Sequence, residues 1–320
     1  MTRRSSRHQD VAAVPDVSVV IAAYRCAGTI GAAIRSALGQ EGASIEVIVC
    51  DDASGDGSAE VAASYGDPRL RVLRRAVNGG PGAARNDAIA VARGAWIAVL
   101  DADDAFAPGR FARLLAIGAD ADIVLDNLLI RPEKGGESRT LFAPFSPSPR
   151  DLTLREYVLA NRIFARGPNF GYLKPMIRRE FLVSRHLRYD TSLMIGEDYV
   201  LMAECLALGA RARLSAEPGY LYTVRSGSTS ARISADQIAA ILRADKALLR
   251  RAPFPRSAAA AQRRRTRSLK TALAYTIAAR AAKAGAWGAA ARQIAREPLA
   301  LRHLAMRMAG RLRQRGASKI

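Results

Sequence analysis

Short apolar runs separated by polar turns recur through the first third of the chain. Residues 17–23 (VSVVIAA), 45–50 (IEVIVC), 70–73 (LRVL) and 96–100 (WIAVL) have the length and the β-branched or aromatic content of buried strands. Between them the apolar period changes to that of a helix. Ile30, Ala33, Ile34, Ala37 and Leu38 predict a helix over 29–38 with Thr29 as its cap. Two more are expected over 58–65 and 83–93, the second with Ala84, Ala88, Ile89 and Ala92 on one face. This alternation predicts an α/β fold with a mostly parallel central sheet and helices on both faces. Ligands of such sheets bind outside the carboxyl ends of the strands. The loops at that edge carry Tyr24, Asp51, Asp52 and the run Asp101-Ala102-Asp103-Asp104, so the fold gathers an aromatic ring and several acids into one crevice.

Three carboxylates at the end of a buried strand repel one another, and a bound divalent cation removes that cost. Alternation along an extended chain turns Asp101 and Asp103 to the same side. That suits Mg²⁺, which takes one or two carboxylates together with substrate phosphates. A D-x-D pair by itself reads first as a solvated acidic turn; the buried strand before it and the neighbouring acids favour the metal. No G-x-G-x-x-G follows the first strand and no P-loop lysine is present, so neither a dinucleotide site nor a P-loop is expected. A nucleotidyltransferase loop is missing too, since Tyr24-Arg25-Cys26 stands in its place. Asp56 is expected as a turn residue and Asp104 as a stabiliser of its own loop. Glu197 and Asp198 open a further helical stretch, where they either complement its dipole or carry chemistry. Residues 169–175 (NFGYLKP) either pack as a turn or offer Phe170, Tyr172 and Lys174 as a platform for a second ligand, the acceptor.

Composition changes this picture at the far end. Of the 320 residues 49% are hydrophobic, ample for a core, yet no apolar run approaches the ~18 residues that would span a bilayer. No signal-peptide pattern follows the first residues, so a cytoplasmic protein is expected. Cys26, Cys50 and Cys205 are too far apart for a metal or disulfide pattern. The net charge is +20, and residues 256–320 hold 13 Arg and 3 Lys against the single acid Glu297. That leaves a nearly balanced body and a strongly basic appendage. Within it, 257–284 and 299–312 read as basic amphipathic helices. They either pack on the body or lie on an anionic membrane face, at ~1 kcal/mol per basic residue near the surface. The organisation expected is therefore a disordered segment over 1–16, a catalytic domain over 17–255 interrupted by a surface loop at 131–150, and a basic helical extension over 256–320. The competing reading is a non-catalytic polyanion binder acting through that extension. The acids count against it, because they would repel phosphates without a metal, and no specific nucleic acid is expected as a partner.

Three segments, VSVVIAAYRCAGTIGAAIRSALGQ, IEVIVCDDASGDGS and NGGPGAARNDAIAVARGAWIAVLDADD, occur in order at normal spacing. Together they resemble the amino-terminal half of family-2 glycosyltransferases, which use the nucleotide-sugar-binding α/β fold called GT-A. The resemblance runs over about 17–230, through IGEDYVLMAECL and GYLYTVRSGSTS. DNLLI, NFGYLKPMIRREFL, LRYDTSLMIGEDY and QRRRTRSL are similar to glucosyltransferases of succinoglycan-type exopolysaccharide assembly.

The resemblance implies roles residue by residue. Ala22 and Tyr24 would border the nucleotide, with Tyr24 against the uracil. Asp52, with Asp51 beside it, would accept a hydrogen bond from the base, and Arg85 would help hold the nucleotide. Asp101 would face the ribose or the metal, and Asp103 would be the main ligand of Mg²⁺ or Mn²⁺. Asp198 would be the catalytic base, with Glu197 orienting it or meeting the acceptor. Arg225, in a segment with Tyr222, Ser228 and Ser230, would contact phosphate, although Thr223 stands where an Arg is common. The processive signature of many relatives is missing, which implies addition of one sugar. The implied reaction is inverting transfer of a hexose, glucose from a UDP-sugar, to a lipid-linked oligosaccharide at the cytoplasmic face of the inner membrane. Inversion in line needs no Ser, Cys or His nucleophile, and only His8, His186 and His303 are present.

Overall fold

The computed structural model describes residues 14–163, 167–225 and 233–301. Residues 1–13, Ser228, Ser230 and the 302–312 portion of the second basic helix lie outside the described residues. The chain begins β1 (Val17–Ala23), α1 (Ile30–Leu38), β2 (Ile45–Asp51), α2 (Ser58–Ala63), β3 (Leu70–Arg74), α3 (Gly80–Val91) and β4 (Trp96–Asp101). The four strands pair in parallel in the order β3-β2-β1-β4. Nearly every side chain of β1, β2 and β4 is buried, as expected of parallel strands covered on both faces.

The observed boundaries extend the expected ones where long-range bonds reach. β2 runs on to Asp51 and β4 to Asp101, because the parallel ladder with β1 continues to those residues. α3 starts at Gly80, three residues before the apolar period shows itself, because the Asp52 carboxylate accepts from the Gly79 and Gly80 N–H groups at 2.9 and 2.8 Å. Pro81 suits that first turn. Thr29 occupies the N-cap of α1 without capping it; its hydroxyl donates to the Cys26 carbonyl at 3.2 Å.

The second half converts the sheet from parallel to mixed. β5 (Ala105–Phe106), α4 (Arg110–Ile117), β6 (Ile123–Pro132) and the two-residue strands β7 (Arg139–Thr140) and β8 (Arg150–Asp151) lead to α5 (Leu154–Ala160). β9 (Met176–Arg178) then enters between β4 and β6, antiparallel to both, and is followed by α6 (Arg179–Ser184), α7 (Glu197–Ala207) and β10 (Ala212–Val224). β10 is parallel to β6 and antiparallel to β5. Its register slips between Leu214 and Tyr220, and there Gly219 is required: a Cβ would sit 2.1 Å from Asp126 Oδ2.

The chain continues through α8 (Ala235–Arg251), α9 (Arg256–Lys283) and α10 (Trp287–Arg296). α8 opens with a capping box between Ser234 and Gln237. α9 packs on α5 and α8, burying Leu269, Ala272 and Ala278. Arg265 stacks over Tyr199 of α7 at 3.5 Å, pairs with Asp245 of α8 at 3.0 Å and donates to the Asn161 carbonyl. The start of the basic region is therefore fastened to the α/β body. Among the described residues no helix is long and apolar enough to cross a membrane.

Candidate active site

The carboxyl ends of β1 and β4 open onto a cleft of about 1290 Å³. Ala22 lines it from β1 and Tyr24 from the loop after, Asp101 from β4 and Asp103 from the loop after, Lys174 from the turn before β9, and Glu197 and Asp198 from the first turn of α7. Gly196, at φ +89°, makes the left-handed turn that delivers the last two.

Two cations tie these acids together. Arg85, on α3, reaches Asp101 at 2.7 Å, Glu197 at 2.7 Å and Asp198 at 3.3 Å. Lys174 Nζ lies 2.8 Å from Asp101 and 2.9 Å from Asp198. The acids at the end of β4 and the start of α7 are thus one network. Burial works against the Asp198 charge, but Arg85 and Lys174 outweigh it and hold the carboxyl below its usual range. Asp101 is likewise held well down, by Lys174 and Arg85 against burial. Glu197 goes the other way: burial and the neighbouring Asp198 raise it despite Arg85.

Asp103 differs from all of these. Its side chain is 44% exposed, and the one ion-pair partner it has among the described residues, Arg225 Nε, is 3.9 Å away. Burial and then the charge of Asp101 raise its pKa, so it is a strained carboxylate that an added cation would relieve. Among the described residues no three His, Cys, Asp or Glu side chains are grouped as a metal cage. The donor set instead suits an ion that takes one or two carboxylates and completes its shell from a substrate's phosphates. Asp104 turns inward, accepting from the Tyr220 hydroxyl at 2.8 Å and the Thr223 N–H at 2.7 Å. Burial, then Asp101, pushes it up to about 8. It anchors its own loop, as the sequence suggested. Asp56 is a turn residue, accepting from Ser58 N–H at 3.0 Å and Ala27 N–H at 3.1 Å.

Several expected contacts are placed differently. Asp52 is buried and accepts from Arg75 at 2.6 Å as well as from Gly79 and Gly80, so the carboxylate expected to meet the base is engaged with the protein. Asp51 is buried beside it; its Oδ2 accepts from Ser54 N–H at 3.2 Å and its Oδ1 has no partner among the described residues. Arg85, expected to hold the nucleotide, spends its guanidinium on three carboxylates. Lys174, expected to meet the acceptor, is buried between Asp101 and Asp198. Phe170 is in the core, 5.6 Å from Phe142, and does not line the cleft. Tyr172 does line it, edge-on to Tyr222 at 5.8 Å. Arg225 lines it too, 3.4 Å from Glu133.

Sequence reasoning missed Lys174 as a bridge and α9 as a wall of the cleft. A lone Lys inside the apolar run FGYLKPMI, and Thr276, Arg280 and Lys283 at helical spacing, were the available signals.

Comparison with known proteins agrees with this architecture. The family model described as glycosyl transferase family 2 matches residues 18–181. The chain is 42% identical to the succinoglycan biosynthesis protein ExoO of Rhizobium meliloti (strain 1021), over 95% of this chain and 88% of that one. Over 28% of the chain and 35% of the relative it is 42% identical to WfaP of Escherichia coli, named a UDP-Glc:alpha-D-GlcNAc-diphosphoundecaprenol beta-1,3-glucosyltransferase. Its fold is similar to the crystal structure of S. aureus TarS 1–349 in complex with UDP-GlcNAc: TM-score 0.59, 21% identity, covering 83% of this chain and 73% of that one.

Proposed function

The chain belongs to glycosyl transferase family 2, and on that premise we propose that it moves one glucose from UDP-glucose, with inversion, to a saccharide on an isoprenoid diphosphate carrier in exopolysaccharide assembly. The observation that carries the proposal is the single network joining Asp101, Glu197 and Asp198 through Arg85 and Lys174, with Asp103 beside it at the cleft. The names of ExoO and WfaP, and the UDP-GlcNAc held by TarS, support the pathway, the carrier and the nucleotide.

Ala22 and Tyr24 border the nucleotide in this reading, and Arg225 meets its phosphates as a charged fork. Asp103, with Asp101, would hold Mg²⁺ or Mn²⁺, which when bound stabilises negative charge on a departing diphosphate. Asp198 accepts the acceptor hydroxyl's proton as that oxygen bonds to the anomeric carbon and the carbon–diphosphate bond breaks on the opposite face. Its pairing with Arg85 and Lys174 keeps Asp198 ionised and fixed in place. A carboxylate with such a depressed pKa is a weak base. It therefore takes the proton late, once bond formation has made the hydroxyl strongly acidic. A positioned base of this kind contributes roughly 10²–10⁴-fold. Glu197 keeps Arg85 in register rather than touching substrate.

The protein would work at the cytoplasmic face of the inner membrane, held by anionic lipid. Trp287, 71% exposed at the start of α10, and the Arg292 and Arg296 of that helix supply the apolar and basic contacts. The test is UDP-glucose turnover with Mg²⁺ or Mn²⁺. Asp198→Asn should lose about 10²–10⁴ in kcat, and Asp103→Ala should lose turnover together with metal dependence. Wild-type rates in both variants would end the assignment.

A further inference from the structure

The cleft has a second charged wall that the transfer chemistry leaves unused. Thr276, Ala279, Arg280 and Lys283 line it from one face of α9, at the spacing that stacks side chains along a helix. Arg162, just past α5, lines it as well. Its position is fixed from both sides, because Arg265 donates to the Asn161 carbonyl and Ser268 to the Ile163 carbonyl at 2.7 Å. Arg162 Nε donates to the Leu159 carbonyl at 3.0 Å, which leaves the two terminal nitrogens of its fork. Among the described residues no carboxylate pairs with Arg162, Arg280 or Lys283. This contrasts with most of the cleft, although Arg25, over the Tyr24 ring, also has no carboxylate partner among the described residues. Arg85 and Lys174 are spent on the acids, Arg225 faces Asp103 and Glu133, and Arg265 is spent on Asp245.

Unpaired guanidinium and ammonium groups on a fixed wall suit an anion with several oxygens. The anion's place relative to the chemistry follows from the helix. Arg265 stacks on Tyr199, the neighbour of Asp198, and Arg280 lies fifteen residues further on, roughly 22 Å along the axis at 1.5 Å per residue. It therefore stands about four helical turns along α9 from the residue that packs beside Asp198. Four residues beyond Lys283 stands Trp287, apolar and 71% exposed.

We propose that this wall is a subsite for the diphosphate of the acceptor's isoprenoid carrier. Arg162, Arg280 and Lys283 take its phosphate oxygens, the sugar end reaches inward to Asp198, and the isoprenoid leaves past Trp287. The inference rests on the carrier-linked acceptor proposed above.

The test is calorimetric binding of farnesyl diphosphate to the full chain in EDTA, which removes the metal needed for a diphosphate on the donor side. Farnesol and inorganic pyrophosphate are the comparison probes, and UDP with Mn²⁺ is the control. Wild type should bind farnesyl diphosphate more tightly than either comparison probe. Arg280→Gln/Lys283→Gln should weaken that binding at least tenfold and leave UDP binding unchanged. Equal binding of farnesol would mean apolar adsorption, and equal binding of pyrophosphate would mean a free-anion site; either overturns the assignment. An unaffected double variant, or one that loses UDP equally, overturns it too. Should wild type take farnesyl diphosphate but not UDP, the donor reading fails and the subsite stands.

Discussion

Two buried arginines divide this molecule into a part that is finished and a part that is not. Arg110, fully buried, grips both oxygens of Asp126 at 2.8 and 2.7 Å, donates to the Lys174 carbonyl at 2.7 Å and lies against the Phe106 and Tyr220 rings. One cation meets one anion, and Gly219 gives way so that they fit. Arg85 is also buried but serves three carboxylates, and even with Lys174 the cluster of Asp101, Asp103, Glu197 and Asp198 retains an excess of acid centred on Asp103. Burial of charge is thus common to both. What separates a structural pair from a reactive site is whether the charges balance within the protein or wait for a ligand to balance them.

The largest expected effect breaks the balanced side. Asp126→Ala strands Arg110 in the core and should destabilise the fold by about 3–5 kcal/mol, seen as a lower midpoint in urea. Replacing Arg110 and Asp126 together by Met and Leu should recover most of that loss, because the pair's desolvation is then avoided. If the double replacement is no better than the single one, the pair is not self-contained.

Glu46 extends the balanced class to the amino-terminal edge of the sheet. It is buried, and accepts from Ser18 Oγ and Arg93 N–H at 2.6 Å and from Gly94 N–H at 3.2 Å. Burial opposes its charge, but Ser18 and Arg93 prevail and lower its pKa below 4.5. Because the folded value is the lower one, the stabilisation is present above the unfolded pKa and is lost as pH falls through the folded pKa. Glu46→Gln should therefore cost about 1.5–3 kcal/mol at neutral pH. The gap from wild type should close as the medium is taken below about pH 4, with turnover per folded molecule unchanged.

How far the sequence reached follows the same division. β1 was readable to the residue, because an apolar run of strand length between polar turns needs only local information. The gathering of Tyr24, Asp101 and Asp103 followed from strand direction alone. The start of α3 was hidden, since Gly79-Gly80-Pro81-Gly82 reads as a loop until Asp52, far back in the chain, caps it. Phe170 sits among glycines yet belongs to the core, which only packing against Phe142 reveals. Arg85 and Lys174 were placed at the site, but the carboxylates each one bonds were not foreseen, because a motif names a residue without saying which neighbour takes its hydrogen bonds. The fold of α9 back over the cleft was invisible for the same reason: its contacts with α5 and α8 are nonlocal.

A smaller effect is expected from Lys174→Met, on the unbalanced side. It should leave the denaturation midpoint nearer to wild type than Asp126→Ala does, and lower kcat about 10–100-fold through loss of positioning. Lys174 helps hold the Asp198 pKa down, so its removal should move the acid limb of the kcat–pH profile to higher pH, and Lys174→Arg should restore part of the shift. A uniform loss of activity with an unmoved acid limb would reduce Lys174 to a packing role.

The claim underneath the comparison is that the cluster of Asp101, Asp103, Glu197 and Asp198 holds more carboxylate than Arg85 and Lys174 balance. Titration of UDP with and without Mn²⁺, on wild type and Asp103→Ala, measures that directly. The account predicts that UDP binds wild type tightly only when the metal is present, and that Asp103→Ala loses at least tenfold of that metal-dependent affinity. UDP binding of equal strength in EDTA, or an Asp103→Ala variant that responds to Mn²⁺ as wild type does, would contradict it.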